Sequence, residues 1–266
     1  YLPRVAYQLD PCFRCAGTCG KQSLTMCMGL GCNAAGVTGC RIIDSPRERL
    51  IAMLTNVCIP CNGRFPAMIT ILTLFFAASL GWGSSLTAAI GILCLLLLGT
   101  GMTFLLSFLL SHTLLKGIPS SFTLELPPYR KPQIGKVLIR SVCDRTLFVL
   151  GRACMVAAPA GMMIWLLANG TLSNGQSILC QLAEWLQPVG AIFGLDGAIL
   201  LAFLLGFPAN EIVLPIVLMI YAASGTLTEQ TDLSQIQVML QANGWTMQTA
   251  VCMLLLMLFH FPCSTT

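Results

Sequence analysis

Three cysteines stand directly beside residues that interrupt otherwise apolar segments. The motifs are Gly31-Cys32-Asn33, Pro60-Cys61 and Pro262-Cys263. Thiolate sulfur is a soft ligand that favours transition metals over alkali or alkaline-earth ions. Glycine, asparagine and proline interrupt a helix, so each of these thiols can face a cavity. The pattern makes Cys32, Cys61 and Cys263 candidate ligands for a transition metal, with a plain packing role as the alternative.

A fourth polar interruption carries an acidic residue. Residues 206–211 read Gly-Phe-Pro-Ala-Asn-Glu, and the residues on either side are almost entirely apolar. An ionisable side chain costs several kcal/mol inside a membrane, so Glu211 is a functional candidate. Interrupted apolar segments are also the best sequence pointer to a transport site. The alternative is a simple loop between two short helices. His260, three residues before Cys263, is a further candidate for the same cavity.

The other chemistry-bearing motifs are weaker. Cys12, Cys15 and Cys19 have a spacing similar to zinc or iron–sulfur ligands, but no histidine is near them in the sequence. Gly20-Lys21 lacks the remaining residues of a phosphate-binding loop, so we expect no nucleotide site in this chain. No Ser/His/Asp set or carboxylate pair suggests hydrolysis. These observations favour a transporter over an enzyme. Most of the cysteines sit in apolar or Gly-rich stretches, so we expect reduced thiols, because lipid-buried cysteine behaves as a small hydrophobic residue.

Composition identifies the class of protein that must position these residues. Hydrophobic residues make up 56% of the chain, charged residues 9%, and the mean hydropathy is +0.82. Soluble domains carry about 25% charged residues, so part of this chain needs lipid as its solvent. Disordered, coiled-coil and nucleic-acid-binding proteins are excluded. The sequence predicts an all-α polytopic membrane protein, and its ends at Tyr1 and Thr266 suggest a piece of a larger protein.

The order of apolar and polar stretches predicts five regions. They are a broken segment with a basic amphipathic helix at 1–64, two transmembrane spans at 65–115, a basic loop and interfacial helix at 116–152, spans interrupted at 206–211 within 153–244, and a second broken segment at 245–266.

Local signals refine several helices. Ser45, Pro46 and Glu48 predict a helix start closed by a capping box. Residues 1–21, with Pro11, Gly17 and Gly20 as breakers, are expected to form a short amphipathic helix followed by a turn. Residues 134–152 and 176–193, the latter with Trp185, are expected to lie at the membrane interface. Residues 116–133 are expected to form a loop, Ser84-Ser85 a tight break, and residues 228–244 a weak helix after a polar linker.

The distribution of positive charge predicts the topology. All 14 Lys and Arg residues lie at or before Arg152. The basic blocks 41–64 and 116–152 are separated by two predicted spans, so both fall on one side, and the positive-inside rule makes that side cytoplasmic. The orientation of the segments after residue 152 is not set by this rule.

Residues 28–50 (MGLGCNAAGVTGCRIIDSPRERL) resemble the first Gate motif of the bacterial ferrous iron transporter family FeoB. In that family a Gly-Cys-Asn break precedes an Arg-x-x-x-Ser-x-x-x-Arg-Leu helix. Residues 60–66 (PCNGRFP) are similar to the family's Pro-Cys motif, and 206–211 and 261–266 resemble its later broken segments, the last being the start of a second Gate. Ala34-Ala35-Gly36 departs from the usual Val-Pro-Ala, and Cys40 and Cys58 lie beside the motif cysteines.

The resemblance implies that the chain is the membrane pore part of a transporter that moves Fe²⁺ across the bacterial cytoplasmic (inner) membrane. By matching positions, it implies a path through Cys32, Cys61 and Cys263 as metal ligands, with Asn33 and Glu211 contributing. It also implies a cytosolic GTPase domain, with GTP and Mg²⁺, outside this chain. The other partners implied are the lipid bilayer, a small FeoA-type accessory protein and further copies of the chain, but no nucleic acid.

Two other functions stay open from the residues. One is a transporter of nucleoside-like or other small solutes, because Gate-type broken helices also occur in such proteins. The other is a membrane subunit that does not itself transport. A solute transporter needs aromatic and polar side chains at the breaks, and its transport should survive loss of the thiols.

Overall fold

The computed structural model describes residues 2–76, 83–117, 120, 133–171, 177–222, 233–264 and 266. No β-strand occurs among these residues. The α-helices are α1 (Leu2–Cys15), α2 (Lys21–Gly31), α3 (Asn33–Gly39), α4 (Pro46–Thr55), α5 (Phe65–Ile71), α6 (Ser84–His112), α7 (Ile134–Arg140), α8 (Leu147–Asn169), α9 (Ile178–Ile192), α10 (Gly197–Leu205), α11 (Val213–Tyr221), α12 (Leu233–Ala242) and α13 (Met247–Phe259).

Several of these helices are long and apolar enough to cross a membrane. In the described part of the chain, three stretches meet this condition by length and composition: Pro46–Phe76, which contains the non-helical residues 59–61, Ser85–His112 and Ile134–Asn169. Two helix pairs meet it jointly and are each bent by 108°: α9 with α10, and α12 with α13. The predicted all-α polytopic membrane fold, with broken helices, is therefore confirmed.

Some predictions fall wholly or partly outside the described residues. The loop at 116–133 is described only at 116–117, 120 and 133, and within the two spans predicted at 65–115 residues 77–82 lie outside the described residues. Ser84 and Ser85, predicted as a tight break, are the first residues of α6. The polar linker before α12 lies at 223–232, also outside the described residues, and the weak helix is present as α12.

The chain divides into two compact units. Unit 1 comprises residues 1–61, 98–155 and 265–266, and unit 2 comprises residues 62–97 and 156–264. The division into five regions stays a prediction. Unit 2 is built around one apolar core, in which the side chains of Met68, Ile71, Ile199, Ile216 and Leu258 are fully buried. Burying apolar side chains stabilises this unit and places its polar breaks at fixed positions.

Unit 1 has a more polar interior. Thr103, Ser107 and Ser111 follow one another at intervals of four residues along α6 and are all buried, so they form one stripe of the helix. Gln22 from α2 is 1% exposed, and its Nε2 donates to Ser107 Oγ at 3.2 Å and to Thr55 Oγ1 at 3.0 Å. Hydrogen bonds between side chains of different helices therefore help to hold this unit together.

Two local predictions in unit 1 are wrong. Pro11 lies inside α1, and the ion pair between Asp10 and Arg14, at 2.6 Å, spans the same turn. Proline removes one backbone donor without ending this helix, and the turn that follows contains Gly17, whose φ is +78°. The capping box is absent as well. The helix starts at Pro46 as predicted, but Ser45 makes no capping bond.

The side chain predicted to close that box has a tertiary partner instead. Glu48 is 1% exposed, and its carboxylate accepts hydrogen bonds from the backbone N–H and the hydroxyl of Ser120, each at 2.6 Å. Arg47 Nε donates to the carbonyl of Leu115 nearby. The two basic blocks are thus in contact around α4, as their prediction on one side of the membrane requires.

The two predicted interfacial helices both form. Residues 134–169 make one helical run, and among its described side chains only Ile164 and Ala168 in α8 are buried. Trp185 on α9 is 75% exposed, but α9 packs tightly against α10 after the 108° bend. This bent pair matches a broken span or a re-entrant loop, and the interfacial position of both helices stays a prediction.

Replacing Tyr221 with phenylalanine tests a polar contact in unit 2. The Tyr221 hydroxyl donates to Asp196 Oδ2 at 2.7 Å and accepts from Trp245 Nε1 at 2.8 Å. Its loss leaves a carboxylate and an indole N–H without this partner, so we expect Tyr221→Phe to lower the free energy of unfolding by about 1–3 kcal/mol. Thermal unfolding in detergent measures this. Asp196→Asn keeps an acceptor and should cost less; equal stability of Tyr221→Phe and wild type would contradict the prediction.

Candidate functional site: the broken helices

The first break lies in unit 1 between α2 and α3. Cys32 is extended (φ −156°, ψ 125°) and interrupts the two helices, as the sequence predicts. Its side chain is exposed, whereas Asn33 is 2% exposed. The Cys32 N–H still donates to the Met28 carbonyl, and its own carbonyl accepts from the Gly36 N–H, both at 3.0 Å. The break is therefore a single residue with a well-defined backbone.

A buried asparagine braces this break. Asn56, 2% exposed, donates from Nδ2 to the Asn33 carbonyl at 3.3 Å. Its Oδ1 is buried and has no hydrogen-bond partner among the described residues. The amide is lodged where α2 and α3 cross, because a Cβ added at Gly29 or Gly36 would lie 2.6 or 2.7 Å from Oδ1. The two glycines leave room for this side chain.

Two further breaks adjoin each other in unit 2. The segment 206–211 follows α10 and leads through a 3₁₀ turn, Asn210–Ile212, into α11, and the segment 260–264 follows α13. The Ser264 N–H donates to the Phe207 carbonyl at 2.9 Å, and the rings of Phe207 and Phe261 lie 5.5 Å apart. We call these two segments together the junction. It carries the predicted residues Glu211, which is exposed, and Cys263, which is half-buried.

The turn Asn62–Arg64 packs on the junction. A Cβ at Gly63 would lie 3.8 Å from Glu211 Oε2. Arg64 is 1% exposed and donates to four backbone carbonyls at the end of α13: Met257 at 2.9 Å, Leu258 at 3.2 Å, His260 at 2.9 Å and Phe261 at 3.0 Å. The last carbonyls of a helix lack internal partners and carry partial negative charge, which a guanidinium complements.

Sequence reasoning missed this role of Arg64. The residue falls within the basic block 41–64 that is expected to lie on the cytoplasmic side, but its side chain is buried rather than on a surface. The available signal is an arginine directly before an apolar segment, between Gly63 and Phe65. An ionisable residue at such a place is a functional candidate by the same argument that singles out Glu211.

His260 lines a narrow crevice in unit 2. The lining residues are Arg64, Phe203, Asn210, Val213, Met257 and His260. The imidazole is 6% exposed, lies 4.9 Å from the Phe203 ring, and has a buried Nε2 without a hydrogen-bond partner among the described residues. Cys263 is not among the lining residues. The expectation that His260 and Cys263 share a cavity is therefore wrong for this crevice.

The candidate thiols are divided between the two units. All fourteen cysteines lie among the described residues and are free thiols. Cys32, Asn33 and Cys61 belong to unit 1, and Glu211 and Cys263 belong to unit 2. In the described residues, no group of three or more His, Cys, Asp or Glu side chains could hold a metal ion. The ligand roles of Cys32, Cys61 and Cys263 stay predictions.

The Cys12, Cys15 and Cys19 motif shows mixed environments. Cys12 and Cys15 are exposed on α1, whereas Cys19 is 2% exposed. Burial, and next the carboxylate of Glu48, raise the pKa of the Cys19 thiol to about 12. A thiol that stays protonated at neutral pH is a poor metal ligand, because the thiolate is the binding form.

Comparison with known proteins identifies the family. The family described as "Nucleoside recognition", named Gate, matches residues 1–75 and 150–266. The family described as "Ferrous iron transport protein B C terminus" matches residues 92–143. The second match lies between the two parts of the first, and it includes the buried polar stripe of α6. No solved structure matched the chain.

Curated relatives match along the chain. The Fe(2+) transporter FeoB of Staphylococcus aureus (strain COL) is 28% identical over 100% of this chain, which covers 38% of that protein. The Fe(2+) transporter FeoB of Legionella pneumophila (strain Lens) is 27% identical over 87% of this chain, covering 31% of that protein. The chain thus spans about a third of the length of these relatives. It belongs to the Gate family, and the resemblance to the membrane part of ferrous iron transport protein B that its motifs predicted is confirmed.

Proposed function

We propose that this chain forms the membrane path of a ferrous iron transporter. The observation that carries the proposal is that helical continuity is lost at three places that each bear a thiol, in a chain whose curated relatives are Fe(2+) transporters. Backbone groups freed at such breaks are tolerated at membrane depth only where protein or water covers them. Breaks of this kind are where transporters bind ions.

In the proposed mechanism Fe²⁺ exchanges waters for thiolates in succession. Cys32, Cys61 and Cys263 each supply one soft ligand, and the amide or carbonyl oxygen of Asn33 and the carboxylate of Glu211 supply hard ones. Sites with few protein ligands bind weakly, and this suits conduction, because an ion must also leave each site. The lack of a group of three or more His, Cys, Asp or Glu side chains that could hold a metal, among the described residues, is compatible with successive contacts of this kind.

The proposal includes partners beyond this chain. A cytosolic GTPase domain using GTP and Mg²⁺ would drive or gate the path, and a FeoA-type accessory protein and further copies of the chain would assemble with it in the bacterial inner membrane. The exposed or half-exposed basic residues Arg41 and Arg49 would face that domain or anionic lipid. Arg64 is excluded from this surface by its burial.

A second candidate is transport of a nucleoside-like or other small solute. The family description favours it, and the junction carries the aromatic rings of Phe207 and Phe261, which are 47% and 41% exposed. Such rings can stack on a planar base. Uptake of this kind would not depend on thiols.

Single Cys→Ser variants separate the candidates. In the full-length protein we expect Cys32→Ser, Cys61→Ser and Cys263→Ser each to lower Fe²⁺ uptake by about tenfold or more, because losing even an outer contact to a metal ligand costs 10–100-fold. Uptake of radioactive iron under reducing conditions measures this. Cys180→Ser and Cys252→Ser, half-buried like Cys61 and Cys263, are the matched controls. Wild-type uptake in all three test variants would reject the thiol path.

A further inference from the structure

We infer that the segment 56–64, here called the bracket, positions two of the thiol-bearing breaks: Asn56 sets the backbone at Cys32, and Arg64 sets the backbone at Cys263. The contacts themselves do not depend on the proposed function. Only their role in Fe²⁺ transport rests on it. The bracket runs through Pro60-Cys61, and the boundary between units 1 and 2 falls inside it, between Cys61 and Asn62.

The first contact acts on the residue next to Cys32. The Asn56 amide donates to the carbonyl of Asn33 and fills the space left by Gly29 and Gly36 at the crossing of α2 and α3. A hydrogen bond to the backbone, combined with close packing on both helices, fixes where α3 begins relative to the end of α2. The backbone dihedrals of Cys32, and therefore the direction of its thiol, follow from that relation.

The second contact acts on the residues before Cys263. Arg64 donates to the carbonyls of Met257, Leu258, His260 and Phe261. The first two are in the last turn of α13, and the last two lie in the extended stretch that follows it. One rigid, planar group therefore determines both where the helix stops and how the chain leaves it. Lysine offers a point charge with the same sign but not the same fork of donors.

The two contacts use one device in two units. In each, a buried polar side chain of the bracket bonds main-chain carbonyls at a break, and each is nearly inaccessible, Asn56 at 2% and Arg64 at 1%. The hydrogen bonds run from side chain to backbone, so they constrain the path of the backbone at each break and not the side chains that the break carries. Substituting Asn56 should therefore disturb the backbone only at the Cys32 break, and substituting Arg64 should disturb it only at the Cys263 break.

Hydrogen–deuterium exchange of the full-length protein, without iron, tests this positioning. Asn56→Leu should raise exchange by about tenfold at the Cys32 and Gly36 amides and leave the His260 and Ser264 amides unchanged. Arg64→Met should raise exchange at His260 and Ser264 and leave Cys32 and Gly36 unchanged. These amides make the backbone hydrogen bonds that flank the two breaks. Asn62→Ala, an exposed position in the same segment, should change neither break.

Arg64→Lys and uptake measurements complete the test. If Arg64→Met fails to fold, Arg64→Lys should show a smaller increase confined to His260 and Ser264. In uptake measurements, Asn56→Leu should raise the apparent KM for Fe²⁺. Asn56→Ser keeps a hydrogen-bond donor, so its apparent KM should lie between those of Asn56→Leu and the wild type. Equal increases at both breaks in either variant, or no increase at all, would overturn the inference. Exchange is measured without iron, so it tests the positioning independently of transport. If each variant raises exchange at its own break only, and the Cys→Ser variants show normal uptake, the thiol path is rejected and the positioning by the bracket is retained.

Discussion

Arg64→Met is expected to destabilise unit 2 strongly. Methionine has a similar length but no donor, so the carbonyls of Met257, Leu258, His260 and Phe261 lose the guanidinium they share. Each buried acceptor left unpaired costs about 1–3 kcal/mol. Because remaining partners and relaxation recover part of this, we expect the free energy of unfolding to fall by about 3–5 kcal/mol.

Thermal unfolding in detergent checks this expectation. A loss of that size lowers Tm by roughly 6–20 °C. Arg64→Lys should fall between methionine and the wild type, because an ammonium keeps the charge at the end of α13 but cannot reach as many acceptors. Arg152→Met is the matched control, since Arg152 is exposed on α8. If Arg64→Met and Arg152→Met unfold at the same temperature, the four-carbonyl contact contributes no stability.

Gly197→Ala is expected to force the bent pair α9 and α10 apart. A Cβ at Gly197 would lie 2.1 Å from the Ala183 carbonyl oxygen and 2.7 Å from the Gln187 backbone nitrogen. Both are main-chain atoms of α9, so no side chain can rotate away. The same approach lets the Gly197 N–H donate to Gln187 Oε1 at 2.8 Å. We expect a loss of about 3 kcal/mol, at the upper end of the cost of overpacking.

Gly161→Ala provides the matched control. Gly161 lies inside α8 and has nothing within 4 Å of an added Cβ. Alanine should be neutral there or stabilise by up to about 1 kcal/mol, because it favours the helix. Unfolding of the two variants in the same detergent gives the comparison. Equal Tm values would mean that α9 and α10 separate freely and that their close approach does not constrain the fold.

The breaks were predictable because their causes are local. Gly31-Cys32-Asn33, Pro208 and Pro262 interrupt helices through backbone conformation and a missing donor, and these effects depend only on neighbouring residues. Local signals fail where a tertiary partner competes. Glu48 follows Ser45 at the spacing of a capping box, yet Ser120, far along the chain, binds its carboxylate.

The supports of the breaks were not predictable, because their causes are not local. Asn56 meets Asn33 across 23 residues, and Arg64 meets Met257 across 193. No period or composition encodes such a pairing. The candidate site residues could be named from the sequence because each has a suitable side chain and lies at a break. The sequence could not show which of these residues lie next to one another. The contact between 206–211 and 260–264 follows from the packing of α10, α11 and α13 in one core.

The four carbonyls that accept from Arg64 at the end of α13 are main-chain oxygens, and this makes the constraint of these four bonds on sequence change one-sided. Every residue type has a main-chain carbonyl, so the four partner positions are free to drift as far as this contact is concerned. Position 64 has no such freedom, because a planar, permanently charged fork of donors is available from arginine alone. A single substitution at position 64 therefore removes all four bonds, whereas a substitution at any one of the four partner positions leaves its main-chain acceptor in place.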